Sequence, residues 1–298
     1  AKLNQRFGAV IVFRAVVALF GGAQVLMTFS PTANLMLTAQ LLQFPELTVI
    51  VGDPLAREGH RFNAASLLQG GVVLGTYCKH DLPNYDVFDE QRYFTPDNRP
   101  LVFELNGTSF GVTICEDTWF SYTPECAKSA GAEVLLVPNG SPFHLGKQQQ
   151  RFDTLRANVT RYRMPVVYAN LVGGQDELVF DGGSFVLDGD GKLVANAPYF
   201  EESMLLVNFI DGVPQPSPVI AEPGEEALAY SALVLGVRDY LGKNSFPSAI
   251  IGLSGGVDSA LTLAIAVDAL GAERVRAVMM PSQFTLPMSL DDAQQMAQ

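Results

Sequence analysis

The chain has 298 residues, of which 48% are hydrophobic and 17% are charged, so it can bury a substantial core and is not a disordered protein. Its formal net charge of -12 argues against sequence-independent binding to nucleic acid, which needs clustered lysines and arginines. The three cysteines, Cys78, Cys115 and Cys126, are too few for a disulfide framework and predict a reducing, cytoplasmic environment. The three histidines lack metal-ligand spacing, which argues against a structural zinc site.

The N-terminal part of the chain contains a long uncharged stretch. Residues 15–45 carry no Asp, Glu, Lys or Arg, but two glycines and Pro31 interrupt the apolar run. A membrane helix needs about 20 predominantly apolar residues without such breaks, so no membrane span is predicted. A signal peptide is compatible with Lys2 and Arg6 ahead of an apolar run. The cysteine usage favours instead a buried helix and strand of a packed domain.

Short β-branched runs closed by Gly, Pro or Asn alternate with helical stretches in the first part of the chain. The runs that predict strands are 23–28, 47–52, 70–77, 110–115, 133–138 and 165–172. Helices are predicted over 118–130 and 147–163, and the second is limited by Pro165, because the residue before a proline avoids the α region. Residues 188–191 predict a hairpin turn. This alternation predicts a layered α/β fold.

Residues 211–224 hold four prolines and few large apolar groups, which predicts a linker between a domain over 1–210 and a second domain over 225–298. The second domain begins with a predicted helix over 225–240. Its predicted strands, 248–253 and 275–280, flank a predicted helix over 261–270. This is the β-loop-α-β unit that begins a nucleotide-binding sheet. Because doubly wound domains usually have about 100–150 residues, we expect this one to be incomplete here.

A glycine-rich loop joins the strand and the helix of that unit, with the sequence Gly252, Leu253, Ser254, Gly255, Gly256, Val257, Asp258, Ser259. Paired glycines let the backbone approach a ligand closely, and the helix N-terminus presents free N–H groups to an anion. No Gly-Lys-Ser/Thr follows, so the loop is not a Walker loop. A plain turn with Ser and Asp caps is the alternative interpretation. The full SGGVDS string resembles the pyrophosphate-binding loop of the ATP pyrophosphatase family, which cleaves ATP between the α and β phosphates to adenylate a substrate.

Other local motifs are ambiguous when each is taken alone. Cys115 ends a predicted strand in the string ICED, where it is either a nucleophile or a small buried apolar residue. Glu116 and Asp117 oppose formation of a thiolate, so a cysteine nucleophile would need a base and a cation from elsewhere. Lys79 by itself is typical of a solvated lysine after a strand. The acids within 173–183 could hold Mg²⁺, but they are more often capping carboxylates in a loop.

Four motifs taken together resemble the nitrilase-like glutaminase domain of the glutamine-dependent NAD⁺ synthetase family. They are YCKHDLPNYDVFDEQRYF (77–94), ICEDTW (114–119), NGSPFHLGK (139–147) and VGGQDELVFDGGSF (172–185). The SGGVDS loop after a linker matches the synthetase domain of the same family. The resemblance implies an α/β fold, with an αββα nitrilase-like sandwich followed by the beginning of a Rossmann-like (adenine nucleotide alpha hydrolase-like) parallel-sheet domain.

The resemblance also implies roles for individual residues. Cys115 would attack the side-chain amide of glutamine, and Lys79 would stabilise the oxyanion. Three residues match positions that hold glutamine: Tyr85, Ser141 and Lys147. Residues 252–259 would bind ATP, and Asp258 would hold its Mg²⁺. The released ammonia would displace AMP from adenylated deamido-NAD⁺ to give NAD⁺. The substrates implied are glutamine, ATP and deamido-NAD⁺, and the assembly implied is a homo-oligomer.

The N-terminal segment departs from the family pattern. The family's general base is a Glu in a Pro-Glu-Leu just after the second strand, whereas Phe29-Ser30-Pro31 follows the predicted strand here. Glu46 lies in a similar Pro-Glu-Leu but directly precedes the next strand, so we do not assign it as the base. Residues 1–48 resemble pieces of the family's segment with material missing between them. Two alternatives stay open: an amidotransferase with another acceptor, and a chain that binds ligands without catalysis.

Overall fold

The computed structural model describes the backbone of residues 16–20 and 24–28 and all of residues 47–297. The chain divides into two compact units. One holds the described residues up to Val172 together with Phe180–Glu222, and the other holds Gly173–Val179 and the residues from Pro223 onward. Within the part of the chain described, no helix has both the length and the apolar run that a membrane crossing requires.

Among the described residues up to 222 there are fifteen strands, three helices and a 3₁₀ turn at Cys115–Thr118. The strands are β1 (Val16–Phe20), β2 (Gln24–Thr28), β3 (Thr48–Arg57), β4 (His60–Gln69), β5 (Val72–Cys78), β6 (Leu101–Leu105), β7 (Thr108–Val112), β8 (Val134–Asn139), β9 (Val166–Asn170), β10 (Val172–Gln175), β11 (Leu178–Asp181), β12 (Phe185–Leu187), β13 (Leu193–Asn196), β14 (Leu205–Ile210) and β15 (Val213–Pro214). The helices are α1 (Glu90–Tyr93), α2 (Tyr122–Ser129) and α3 (Lys147–Tyr162).

Two sheets pack face to face in the first unit. One has seven strands in the order β15-β14-β2-β1-β3-β4-β5, and the other has six in the order β13-β12-β9-β8-β7-β6. β8 lies in the middle of the second sheet and pairs in parallel with both β7 and β9. Because side chains alternate along a strand, Val134 and Leu136 enter the core shared with the first sheet, whereas Leu135 and Val137 enter a second core.

Helices α2 and α3 cover the outer face of the second sheet. Ala127 of α2 and Leu155 and Val159 of α3 are buried there against the second sheet. The first unit therefore has the nitrilase-like α/β sandwich architecture that the resemblance implies, and its described residues show both sheets and one of its helical layers. Turns that follow the strands of the second sheet carry two of the predicted site residues, Cys115 after β7 and Ser141 after β8.

The predicted strands are confirmed, and the structure adds strands that were not predicted, among them β1, β4, β6 and β14. β4 follows β3 through a tight turn in which Glu58 and Gly59 have φ of +52° and +81°, the left-handed conformation that a two-residue hairpin requires. The prediction of a loop over 173–183 is wrong, because this run forms the hairpin β10–β11. Cys115 does not end strand β7 but begins the 3₁₀ turn beyond it.

Residues 211–222, within the predicted linker, pack on the first unit. They contain β15, which pairs with β14. The N–H of Ser217 donates to the carbonyl oxygen of Val194 at 2.9 Å, and the N–H of Ile220 donates to Asn196 Oδ1 at 2.7 Å. The chain is thus held along β13 before it reaches the second unit.

The second unit contains the predicted β-loop-α-β arrangement. Its elements are α4 (Glu225–Lys243), β16 (Ala249–Gly252), α5 (Val257–Leu270), a 3₁₀ turn (Ala272–Arg274), β17 (Val275–Val278) and α6 (Pro287–Met296). Strands β16 and β17 pair in parallel, as the sequence predicts, because helix α5 forms the crossover between them. Leu253, Leu263 and Ala293 form the buried centre of this unit.

Candidate active site

Cys115 stands in a strained turn between β7 and α2. It has φ of +49°, and a residue other than glycine in this left-handed region is uncommon. Such conformations persist only where the surroundings enforce them, and they cluster at functional sites. The side chain is half-buried. The turn therefore presents a thiol at the end of the second sheet.

Lys79 supplies a fixed cation next to that thiol. Its side chain is only 1% exposed, which excludes a solvated lysine, and its Nζ donates to Glu90 Oε1 at 2.7 Å. Glu90 begins α1 and is itself held by Asn63, whose Nδ2 donates to Oε2 at 3.2 Å. Burial works to lower the pKa of Lys79, but the neighbouring Cys115 and Glu90 outweigh it and raise that pKa. The ammonium is therefore charged and held in place.

The thiol of Cys115 is not ionised by its surroundings alone. Burial raises its pKa, Lys79 lowers it, and the carboxylates of Glu90 and Glu116 raise it further. A net raised pKa means that nucleophilic attack requires a base to remove the proton. Both positions considered for that base, residues 29–31 and Glu46, lie outside the described residues.

Groups of opposite charge interact with Cys115. The Glu116 carboxylate accepts a hydrogen bond from the hydroxyl of Tyr85, to Oε2 at 2.8 Å. Lys147 Nζ lies 4.6 Å from the centre of the Trp119 ring, and burial followed by the nearby Arg151 lowers the pKa of Lys147. The site thus offers a carboxylate and an ammonium on different elements, an arrangement that complements the two charges of a free α-amino acid.

Ser141 lies in the same unit but does not face open solvent. It is 2% exposed, and its Oγ accepts from Arg151 Nε at 3.2 Å while its carbonyl oxygen accepts from Arg151 Nη2 at 2.8 Å. Arg151 in turn donates to both carboxylate oxygens of Asp181 at 2.8 Å. This buried bidentate pair fixes the turn after β8 that carries Ser141.

The Arg151–Asp181 pair yields a stability prediction. Arg151→Met is expected to lower the free energy of unfolding by about 3–5 kcal/mol, because it leaves the Asp181 carboxylate buried without its charged partner. Arg156→Met on the same helix is the matched control, since Arg156 is 43% exposed, and its loss should cost about 1 kcal/mol or less. Urea denaturation of both variants measures the difference. Equal stability of the two variants would contradict the prediction.

The glycine-rich loop forms a compact turn in the second unit. Gly255 has φ of +83°, and a Cβ added there would lie 2.3 Å from the carbonyl oxygen of Ser289. The hydroxyls of Ser254 and Ser259 lie 3.1 Å apart, and Ser259 Oγ also donates to the carbonyl oxygen of Gly256. These contacts close the loop in front of helix α5, whose first N–H groups it leaves at the surface.

Asp258 lies exposed in the first turn of α5. The structure brings no group of three or more His, Cys, Asp or Glu together as a metal site within its described residues. A single exposed carboxylate fits Mg²⁺ only when a bound nucleotide supplies the remaining oxygens, which is the usual way that Mg²⁺ binds beside phosphates. The acids over 173–183 likewise form no such cluster among the residues described.

Sequence reasoning gave no role to Glu90 or Arg151, and it counted Glu116 and Asp117 only as carboxylates that oppose formation of the thiolate. A signal existed for Arg151, because it shares a helix face with the buried residues Leu155 and Val159, at a spacing of four and eight positions. An arginine on an apolar face needs a buried partner. No local pattern distinguished Glu90 from the other acids of its loop.

Comparisons with known proteins show the families that both parts of the chain resemble. The family model for carbon-nitrogen hydrolases matches residues 21–211, and the model for NAD synthase matches residues 229–298. A glutamine-dependent NAD(+) synthetase from Acinetobacter baylyi is 44% identical over 261 residues, covering 87% of this chain and 48% of the relative. One from Xanthomonas campestris is 47% identical over 252 residues, covering 82% of this chain and 46% of the relative.

A solved structure of glutamine-dependent NAD+ synthetase from Acinetobacter baumannii, in complex with adenosine diphosphate, superposes with a TM-score of 0.82 at 42% identity. The match covers 89% of this chain and 51% of that one. The chain therefore spans about half the length of the relatives that it matches.

Proposed function

Since the chain belongs to the carbon–nitrogen hydrolase family, we propose that its first unit hydrolyses the side-chain amide of glutamine and that the whole protein uses the ammonia to amidate deamido-NAD⁺ at the expense of ATP. The observation that carries the proposal is the buried, charged Lys79 held beside Cys115. A fixed cation at this position stabilises the negative charge that develops on a carbonyl oxygen under attack.

The first half-reaction uses Cys115 as the nucleophile. A base takes the thiol proton as sulfur bonds to the amide carbon, and the electron pair of the carbonyl moves onto oxygen, where Lys79 neutralises it. The C–N bond then breaks, the leaving nitrogen takes up a proton and departs as ammonia, and a thioester remains. Water hydrolyses the thioester to glutamate and restores the thiol.

Glutamine is recognised by the charged groups around Cys115. The Tyr85–Glu116 hydrogen bond fixes a carboxylate that would bind the α-ammonium group, and Lys147 would bind the α-carboxylate. Ser141 would contribute through the turn that Arg151 holds. Each group would thus contact a part of the substrate that does not react, which orients the amide toward sulfur.

The second half-reaction would take place on the second unit. The N–H groups of the loop over 252–259 and of the first turn of α5 would bind the pyrophosphate part of ATP. Asp258 would be the carboxylate that holds Mg²⁺ together with phosphate oxygens. Adenylation of the deamido-NAD⁺ carboxylate releases pyrophosphate, and attack by ammonia then releases AMP.

The test is to incubate the purified protein with ATP, Mg²⁺, deamido-NAD⁺ and either glutamine or ammonium chloride, and to measure NAD⁺ and glutamate. NAD⁺ from both nitrogen sources, with glutamate formed only from glutamine, is the expected result. A panel of other carboxylic acids in place of deamido-NAD⁺ examines the alternative acceptor. Preferential amidation of one of those acids, or the absence of any glutamine hydrolysis, would overturn the proposal.

A further inference from the structure

Asp117 lies in the same 3₁₀ turn as Cys115 and is fully buried, with an exposed fraction of 0%. Its carboxylate accepts four hydrogen bonds. Oδ2 accepts from the Tyr77 hydroxyl at 2.7 Å and from the Ile114 N–H at 3.0 Å. Oδ1 accepts from the backbone N–H groups of His80 at 3.1 Å and Asp81 at 2.8 Å. One side chain thus satisfies donors from two separate parts of the chain.

The positions of those donors matter more than their number. Tyr77, His80 and Asp81 surround Lys79 in sequence at the end of β5. Ile114 directly precedes Cys115, and Asp117 belongs to the same 3₁₀ turn as Cys115. The carboxylate therefore joins the segment that carries the cation to the segment that carries the thiol. The two segments come from different sheets, so their alignment depends on contacts of this kind.

The four donors around Asp117 require an ionised acceptor. All four partners donate a hydrogen bond, and three of them are backbone N–H groups, which can never act as acceptors. Only an ionised carboxylate accepts hydrogen bonds at both of its oxygens. Burial raises the pKa of Asp117 to about 6, while the hydrogen bonds and the charge of Lys79 act to lower it. At neutral pH the group is ionised and matches its four donors.

Building on the proposed glutaminase activity, we propose that Asp117 is a positioning residue, which sets the distance and orientation of Lys79 relative to Cys115 without touching the substrate. Loss of its carboxylate would misplace the cation relative to the developing oxyanion. A displacement of a catalytic group by about one ångström can reduce a rate by about 10²-fold. The glutamine-binding groups Tyr85 and Lys147 donate none of the four hydrogen bonds, so substrate affinity should change little.

The test is Asp117→Asn, which places an NH₂ group against at least one fixed N–H donor while keeping the shape of the side chain. We expect kcat for glutamine hydrolysis to fall about 10–100-fold with KM nearly unchanged. The rate of iodoacetamide alkylation at Cys115, followed by mass spectrometry of its peptide, should fall as well. Asp188→Asn is the matched control, because the Asp188 carboxylate also accepts two backbone N–H groups in a turn but lies in the hairpin between β12 and β13.

These readouts separate positioning from stability. A merely structural role would reduce the fraction of molecules that fold and label, but not the alkylation rate or kcat of each folded molecule. Asp117→Asn with wild-type kcat and alkylation rate per folded molecule would overturn the inference. If that variant does not fold, Tyr77→Phe removes one donor and keeps the ring; a several-fold loss of kcat is expected, and an unchanged kcat would overturn the inference. Failure of the wild type to hydrolyse glutamine would instead refute the proposed function, and the alkylation rates would still decide the role of Asp117.

Discussion

Replacing Cys115 with alanine is expected to abolish glutamine-dependent NAD⁺ formation while leaving ammonia-dependent formation intact. Among the described residues of the site, only the Cys115 sulfur can form the thioester, so no slower route through the same intermediate is expected. Removal of the nucleophile alone should reduce glutamine hydrolysis to the uncatalysed background, a loss of about 10⁶-fold or more by analogy with other covalent mechanisms. NAD⁺ formation measured in parallel with the two nitrogen sources provides the comparison.

Cys126→Ala is the matched control for Cys115→Ala. Cys126 is also a half-buried free cysteine of the first unit, but it lies within helix α2 rather than in a strained turn. Its removal should leave both activities close to those of the wild type. A diazo-ketone analogue of glutamine should label Cys115 and neither of the other cysteines. Labelling of Cys78 or Cys126, or glutamine-driven turnover by Cys115→Ala, would show that the assignment is wrong.

Gly255→Val is expected to abolish ATP-dependent synthesis with either nitrogen source. At φ of +83° a β-branched side chain is strained, and its Cβ would lie 2.3 Å from the backbone oxygen of Ser289. The loop would have to move, and its N–H groups would no longer converge on the pyrophosphate. Glutamine hydrolysis should be retained, because the residues proposed for it lie in the first unit.

Gly256→Ala is the control for the change at Gly255. Gly256 has φ of -87°, and an added Cβ would meet only Ser254 Oγ, at 3.4 Å. Ammonia-dependent NAD⁺ formation at saturating ATP should therefore fall much less than in Gly255→Val. Synthesis by Gly255→Val at the wild-type rate would contradict a pyrophosphate-binding role for this loop. The sequence presents the two glycines as equivalent, and the backbone conformation separates them.

Local sequence patterns were sufficient to predict an element where its own residues indicate its type. Parallel strands β16 and β17 with helix α5 between them follow from alternating apolar runs closed by glycines, and the loop before α5 follows from its paired glycines. The buried strands β8 and β9 were predicted because a continuous apolar, β-branched run indicates a buried strand even when its neighbouring strands are unknown. β4 was missed for two reasons. Its first residues are polar and exposed, and the turn before it is Glu-Gly, whereas Asn-Gly is the usual signal of a tight hairpin.

The sequence by itself determined the β-loop-α-β unit with its glycine-rich loop, because alternating apolar runs and paired glycines are local signals. The residues proposed for the chemistry came instead from the resemblance of four motifs to a known family, since each motif taken alone was ambiguous. Only the tertiary structure decided which of those residues act together. The sequence around Lys79 is typical of a solvated lysine, but the structure buries it next to Glu90 and Cys115. Ser141 is held by an arginine ten positions away. Asp117 joins segments 36 to 40 positions apart. Such contacts form when separate elements of the chain pack against one another, and no local pattern encodes that packing.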